Sequence, residues 1–420
     1  MEDNRKILKG DKYIWGTYFF LCLISIISMY SASGMLTMKS GEIYDPIIRH
    51  AIFLVISTLI VFAVHYVHYK WLRLFGLPLF AIAAVLLLYT LFFAEKVNDA
   101  ARWITIAGIP IQPSEIAKLG VVISVAYFLA RGQSDKGVTT LAFRKSIIIV
   151  AIACILIFTE NFSTAALIAL VSYCMMLIAG VSLKKLHAIV LIVVMIVAGI
   201  LFTAHILDKN NDGEQEKNLF MSAIHRANMW NDRLFNFAGD GTPEYLKETD
   251  DDNFQRHHAY MAIAHSNGIG VGPGNSRERD VLPQAYSDFI YAIIIEEFGI
   301  AGGLFVMGLY LSLLFRAYQI TRKCTQAFPA FLIMGIALLI VFQALLNMMV
   351  ATGVAPVTGQ PLPLISRGGT SVLINGIYFG IMLSISRYAT TESIEINKDE
   401  GKEEIEIPES ISAPNPNLKK

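Results

Sequence analysis

Charge is what this sequence has least of. Only 16% of its 420 residues are Asp, Glu, Lys or Arg, whereas 55% are hydrophobic, a balance far outside that of a soluble domain of this length. The 34 basic and 34 acidic residues cancel, which gives no basic footprint for nucleic acid. Cysteine is scarce. Cys22, Cys154, Cys174 and Cys324 form neither a CxxC pair nor a His/Cys cluster at zinc spacing, so they read as small core residues without a structural disulfide. A nucleotide-binding loop is also lacking: the glycines of Gly268-Ile-Gly-Val-Gly-Pro-Gly274-Asn-Ser276 recur at every second position, with no Lys-Ser/Thr after them. Such alternation suits a tight, extended re-entrant segment running close to other backbones. There is no long-period repeat and no pair of inverted halves of the transporter kind. No small-residue cleavage site follows the first apolar run, which is expected to be a retained helix.

What is present is apolar sequence in blocks. About ten segments are long enough to cross a bilayer, near 13–31, 47–67, 72–93, 113–131, 145–158, 163–180, 186–207, 288–315, 328–350 and 369–388. The expected fold is an all-α polytopic membrane protein of about ten transmembrane helices, with one large extracytoplasmic loop between helices 7 and 8. Residues 1–12 form the N-terminus, 13–390 the membrane domain with its loop at 208–287, and 391–420 an acidic tail read as disordered. Orientation follows from the basic residues of the short loops. Arg5, Lys6, Lys9, Lys12, Lys70, Arg73, Arg131, Lys136, Arg144, Lys145, Lys184, Lys185, Arg316, Arg322 and Lys323 fall on one side, which places both termini in the cytoplasm.

Function gathers on Leu282-Pro-Gln-Ala-Tyr-Ser-Asp288-Phe-Ile-Tyr-Ala-Ile-Ile-Ile-Glu296-Glu297-Phe-Gly299. A proline-led loop ends there and an apolar helix begins with a carboxylate near its first turn. Ionisable groups at the mouth of a hydrophobic segment are costly unless they are used, so Asp288 reads as the acid/base group of a membrane enzyme. Glu296 lies further along the same helix. In Gln112-Pro-Ser-Glu115-Ile-Ala-Lys118, the proline suits a helix start, and Glu115 and Lys118 share a face where they can pair. They are either a structural ion pair or the polar wall of a cavity that Asp288 also faces. Trp103 suits an interfacial belt. Arg226 and Arg233, two turns apart in the long loop, suit either a diphosphate clamp or anionic membrane lipids. His257, His258 and His265 have no carboxylate at zinc spacing and read as helix-packing residues. Pro356–Ser371 is a proline-rich, non-helical stretch. Its Arg367 breaks the positive-inside pattern and suggests an anionic partner, the alternative being a plug at a cavity mouth.

Taken together, Ala-Arg102-Trp103-Ile, Gln-Pro-Ser-Glu115-Ile-Ala-Lys118, Gly270-Val-Gly-Pro-Gly-Asn-Ser276, Leu282-Pro-Gln-Ala-Tyr-Ser-Asp288-Phe-Ile and Gly359-Gln-Pro-Leu-Pro-Leu-Ile-Ser366-Arg367-Gly-Gly-Thr-Ser371 resemble the SEDS family of peptidoglycan glycosyltransferases. The resemblance covers roughly 13–388. It is nearer the division-type (FtsW-like) than the rod-elongation (RodA-like) branch. It implies polymerisation of lipid II at the outer face of the cytoplasmic (inner) membrane, in septal wall synthesis. It also implies a single-span class B penicillin-binding protein as partner, alongside other divisome proteins. On the family's motifs the essential acid maps to Asp288 and the intramembrane pair to Glu115 and Lys118. Arg102, Trp103, Arg226, Arg233, Ser287, Glu296, Ser366 and Arg367 are the expected substrate-binding residues. Two places depart from the family pattern: Tyr286-Ser287 replaces the usual His/Thr before the acid, and Glu160-Asn161-Phe162 replaces an outer Pro-Asp-Leu. Asp288 would act as general base or as a ligand to Mg2+ or Mn2+; the residues do not decide between these, and no nucleotide is expected. A lipid II flippase and a non-catalytic divisome scaffold are the alternatives.

Overall fold

Each long apolar run becomes a helix, and local chemistry sets several of the starts. In the computed structural model, which describes residues 8–33, 44–93, 103–106, 109–135, 137–158, 161–208 and 253–399, α1 spans Lys12–Ala32. The Asp11 carboxylate accepts from the amides of Tyr13 and Ile14 at its N-terminus, satisfying donors that the helix itself cannot. Helix α2 (Asp45–Tyr66) opens on Pro46, and α3 (Tyr69–Phe93) carries an internal Pro78. A short hairpin, β1 (Ile104–Ile106) with β2 (Ile109–Ile111), pairs Ile104 with Ile111. Helix α4 (Pro113–Arg131) follows, with Pro113 at its first position and Glu115 in its first turn, where the helix dipole favours an anion. A second hairpin, β3 (Gln133–Ser134) with β4 (Gly137–Val138), leads to α5 (Thr140–Phe158).

The Asn161 side chain caps α6 (Phe162–Ile178) by accepting from the Thr164 amide at 3.1 Å. Helix α7 is Leu183–Asp208. After the large loop come α8 (Phe254–His265), a 3-10 turn at Glu278–Asp280, α9 (Ile290–Thr321), α10 (Ala327–Ala351) and α11 (Gly369–Asp399).

All ten expected segments are helices. Eight of them are long and apolar enough to cross a membrane, and α6 is a shorter apolar helix; the protein is a multi-pass membrane protein. Helices α4 and α10 are the innermost, with most of their residues buried. Helix α10 packs on α4, α6, α9 and α11, α3 lies along α4, and α2 lies along α11. Helix α7 is peripheral, and from Val190 to Ile196 every side chain is exposed. An apolar surface on all sides suits lipid as solvent.

The structure shifts three boundaries. Helix α5 begins at Thr140 rather than 145 and α9 continues to Thr321 rather than 315, because the basic residues expected in loops are carried on helical turns. Helix α11 continues to Asp399, into the stretch expected to be disordered. Residues 389–399 contain neither Pro nor Gly to end it, and the next proline is Pro408. The remainder of the tail, 400–420, and residues 209–252 of the long loop lie outside the described residues.

Candidate active site

Asp288 sits in the turn leading into α9 rather than in the helix, which begins two residues later at Ile290. The turn is tight. Gln284 adopts φ +58°, and its carbonyl accepts from the amides of Ser287 at 2.9 Å and Phe289 at 3.3 Å. A non-glycine residue in this left-handed region is uncommon and marks a conformation imposed by its surroundings. The Asp288 side chain is partly buried, and the Ser287 hydroxyl donates to its Oδ1 at 3.1 Å.

The surroundings that impose the turn are the proline-rich stretch 356–368 and one helix. Asn347 of α10 donates from Nδ2 to the Asp288 carbonyl and to the Gln360 carbonyl, both at 2.8 Å. Ser366 Oγ donates to the Ser287 carbonyl at 2.5 Å and accepts from the Leu362 amide. The Arg367 amide donates to the Tyr286 carbonyl at 2.9 Å. Three successive carbonyls of the turn, at 286, 287 and 288, are thereby held by three different residues. The Arg367 guanidinium lies over the Tyr286 ring, 5.5 Å from its centroid, a cation–π contact. Leu364, in the same proline-rich stretch, is a second non-glycine residue at positive φ, +64°.

That stretch is in turn fastened to the bundle. Gln360 Nε2 donates to Thr164 Oγ1 at 2.7 Å, with Asn161 Oδ1 at 3.5 Å. Tyr310 of α9 donates to the Pro363 carbonyl at 2.5 Å. Ser25 of α1 donates to the Ile365 carbonyl at 3.1 Å and contacts His50 Nε2 of α2 at 2.7 Å. With the Ser25 proton directed at Ile365, His50 Nε2 is the donor of that pair. Irregular backbone inside a membrane bundle must find its hydrogen bonds in the protein, and here side chains of α1, α9 and α10 supply them.

Glu115 and Lys118 pair at 2.7 Å, both almost wholly buried. Lys118 Nζ also donates to Gln343 Oε1 at 2.7 Å, and Gln343 Nε2 donates to the Pro361 carbonyl at 3.0 Å. The pair is thus joined through Gln343 to the stretch that holds the Asp288 turn. The pair lies within α4, and Lys118 through Gln343 ties α4 to α10.

Glu296 is fully buried on the far side of the turn, where it accepts from Ser276 Oγ and from the Arg277 amide at 2.9 Å. Trp103 stands exposed at the start of the first hairpin. Arg102, Arg226 and Arg233 lie outside the described residues. The histidines do more than pack. His258 Nδ1 lies 2.6 Å from Glu278 Oε2, and His265 Nδ1 lies 3.4 Å from Glu278 and 3.6 Å from Glu296. The fold brings them carboxylates from distant sequence, which local spacing does not reveal. Among the described residues no three or more His, Cys, Asp or Glu side chains are arranged to hold a metal ion.

Sequence reasoning missed Gln343, Asn347, Gln360, Tyr310 and Ser25. The signal for two of them was present. Gln343 and Asn347 are spaced i,i+4 in an otherwise apolar run, and amides inside a membrane helix are there to bond something.

The comparisons agree with this architecture. The family model described as a cell cycle protein, FTSW_RODA_SPOVE, matches residues 11–391. Among curated relatives, the chain is 28% identical over 394 residues to the "Probable peptidoglycan glycosyltransferase FtsW" of Enterococcus hirae, covering 92% of this chain and 94% of that one. It is 29% identical over 400 residues to the protein of the same name from Bacillus subtilis, covering 91% and 92%. Among solved structures, a chain of a peptidoglycan synthase complex superposes with a TM-score of 0.65 at 20% identity, covering 90% of this chain and 98% of that one. The rod shape determining protein RodA of Thermus thermophilus gives 0.60 at 18% identity with the same coverage. This multi-pass membrane chain, matched by the family model over nearly its whole helical region, belongs to the FtsW/RodA/SpoVE family of cell cycle proteins.

Proposed function

We propose that this chain is a peptidoglycan glycosyltransferase that polymerises lipid II into glycan strands, in wall synthesis at division. The names of its relatives support the activity, and the observation that carries the site is the Asp288 turn, three of whose carbonyls are fixed from outside. Such fixing suits a group that must meet a reacting atom at hydrogen-bond distance. The basic end of the bundle faces the cytoplasm with both termini, so the Asp288 end faces outward from the cytoplasmic membrane.

In the reaction, the sugar 4-hydroxyl oxygen of one substrate attacks the anomeric carbon of another. The bond from that carbon to the diphosphate oxygen breaks, and undecaprenyl diphosphate leaves. Asp288 takes the hydroxyl proton, with Ser287 orienting its carboxylate. The Arg367 guanidinium, presented over Tyr286, and Arg102 are the cations for the leaving diphosphate, where negative charge develops. Glu115 and Lys118 act through Gln343 on the position of the proline-rich stretch. In the alternative reading Asp288 would be a ligand to Mg2+ or Mn2+, which would supply charge stabilisation at the leaving diphosphate. A single-span class B penicillin-binding protein, which would cross-link the strands, is the proposed partner.

The test is lipid II polymerisation by the purified protein with its cognate transpeptidase, read as strand length on a gel. Asp288→Asn should lose about 10²–10⁴-fold in turnover with normal folding. Full activity in that variant would sink the base role. Lipid II movement across liposomes without any polymer from wild type would favour a transporter.

A further inference from the structure

Helix α9 is broken. Gly299 has φ +71° and ψ −175° inside it, so residues 290–298 form a separate half-helix, buried along nearly its whole length. A break leaves carbonyls without their helical donors. The glycine-alternating segment supplies donors in their place. The Val271 amide donates to the Glu296 carbonyl at 3.0 Å and the Gly272 amide to the Glu297 carbonyl at 2.9 Å, while the Ile300 amide beyond the break donates to the Gly268 carbonyl at 3.1 Å. The backbones approach so closely that a Cβ at Gly270 would lie 2.4 Å from the Glu297 carbonyl oxygen. One at Gly299 would lie 2.5 Å from the Ile269 carbonyl.

Two buried carboxylates complete the joint. Glu297 Oε1 accepts from the Gly274 amide at 2.9 Å and from Ser31 Oγ at the end of α1. Glu296 accepts from Ser276 Oγ and the Arg277 amide. No arginine or lysine pairs with either acid among the described residues. His265 Nδ1 lies 3.6 Å from Glu296 Oε1 and Arg279 acts on Glu297 electrostatically, but burying two adjacent carboxylates remains costly. Each nevertheless bonds to the 274–277 loop, Glu297 to Gly274 and Glu296 to Ser276 and Arg277, which fixes the half-helix at the end opposite Asp288.

We propose that Glu297 is a positioning residue for Asp288, with the glycine segment as a splint that sets the height and rotation of the half-helix. The inference rests on the reading of Asp288 given above. At one end the half-helix is gripped through the 286–288 carbonyls, and at the other through Glu296, Glu297 and the 271–272 amides. Releasing the second grip lets the body pivot about the first, and moves the carboxylate that precedes it.

The experiment measures lipid II turnover by the full chain with its cognate transpeptidase, for wild type, Glu297→Ala, Glu297→Gln and Asp288→Asn, together with thermal stability in detergent. Glu297→Ala should lower kcat at least tenfold while KM stays within about twofold. Glu297→Gln keeps an oxygen to accept from Ser31 and Gly274 and should recover to within a few-fold of wild type. A merely structural role would lower the amount of folded protein and leave kcat per folded molecule alone. Full turnover in Glu297→Ala, with Asp288→Asn inactive, overturns this inference and leaves the Asp288 reading intact. A loss in Glu297→Ala that Gln does not repair, or that tracks the folded fraction, also overturns it. Full turnover in Asp288→Asn overturns the underlying reading, whatever Glu297→Ala does.

Discussion

Asn347 holds Asp288 by its backbone: one amide group on α10, donating at 2.8 Å to the Asp288 carbonyl and equally to that of Gln360, joins the acid's turn to the proline-rich stretch. The restraint from α10 is carried by the main chain, while the carboxylate has its own contact with the Ser287 hydroxyl.

Asn347→Ala should therefore separate two effects. Two buried carbonyls lose their donor, a loss of about 1–3 kcal/mol in stability for each buried group left unsatisfied. The turn is also freed, and turnover should fall by roughly 10–100-fold, since small misplacements of a reacting group are costly. Thermal midpoints and single-turnover rates on the same preparation measure both. Unchanged turnover in a destabilised variant would show that the turn keeps its shape without Asn347.

Lys118→Ala leaves Glu115 buried without its cation. Breaking one partner of a buried pair costs about 3–5 kcal/mol, whereas replacing both with apolar residues is close to neutral. Glu115→Leu combined with Lys118→Met should regain most of the thermal midpoint lost in Lys118→Ala, yet remain poor in polymerisation because Gln343 has lost its donor. A double variant as unstable as the single one would contradict the account of the pair as mutually compensating.

Gly120 of α4 carries the close approach to α3. A Cβ there would lie 2.8 Å from the Phe80 amide nitrogen and 2.9 Å from its Cα, both backbone atoms. Gly120→Ala should push the two helices apart at a cost of about 1–3 kcal/mol. Gly308→Ala in α9, where a Cβ meets nothing within 4 Å, is the control and should be neutral or slightly stabilising. Equal thermal midpoints for the two variants would mean that α3 yields freely.

Most of the fold was legible because a bilayer demands about twenty apolar residues per crossing, and such runs are visible one at a time. The helix starts at Pro113 and the Glu115–Lys118 pair were legible for the same local reason. The rest depended on contacts between distant parts of the chain. The break at Gly299 is invisible in an apolar run that reads as one helix, and the nearness of His265 to Glu278 arises only once the 3-10 turn packs on α8. The alternation of glycines signalled a segment lying close to other backbone, without saying which. Its partner turned out to be the interrupted helix beside Glu296 and Glu297. Arg226 and Arg233 were singled out by spacing and lie in a part of the chain that the structure does not describe.

The proline-rich stretch has a consequence for how the protein is made. Ser25, Thr164, Tyr310, Gln343 and Asn347 belong to helices that leave the ribosome before it, yet each finds a hydrogen-bond partner within 360–365. Until those residues emerge, the earlier helices lack these partners, though Gln343 has Lys118 and Ser25 has His50. Closure of the bundle therefore waits on the last segment translated before the final helix, and a chain interrupted ahead of Pro356 would lack these contacts.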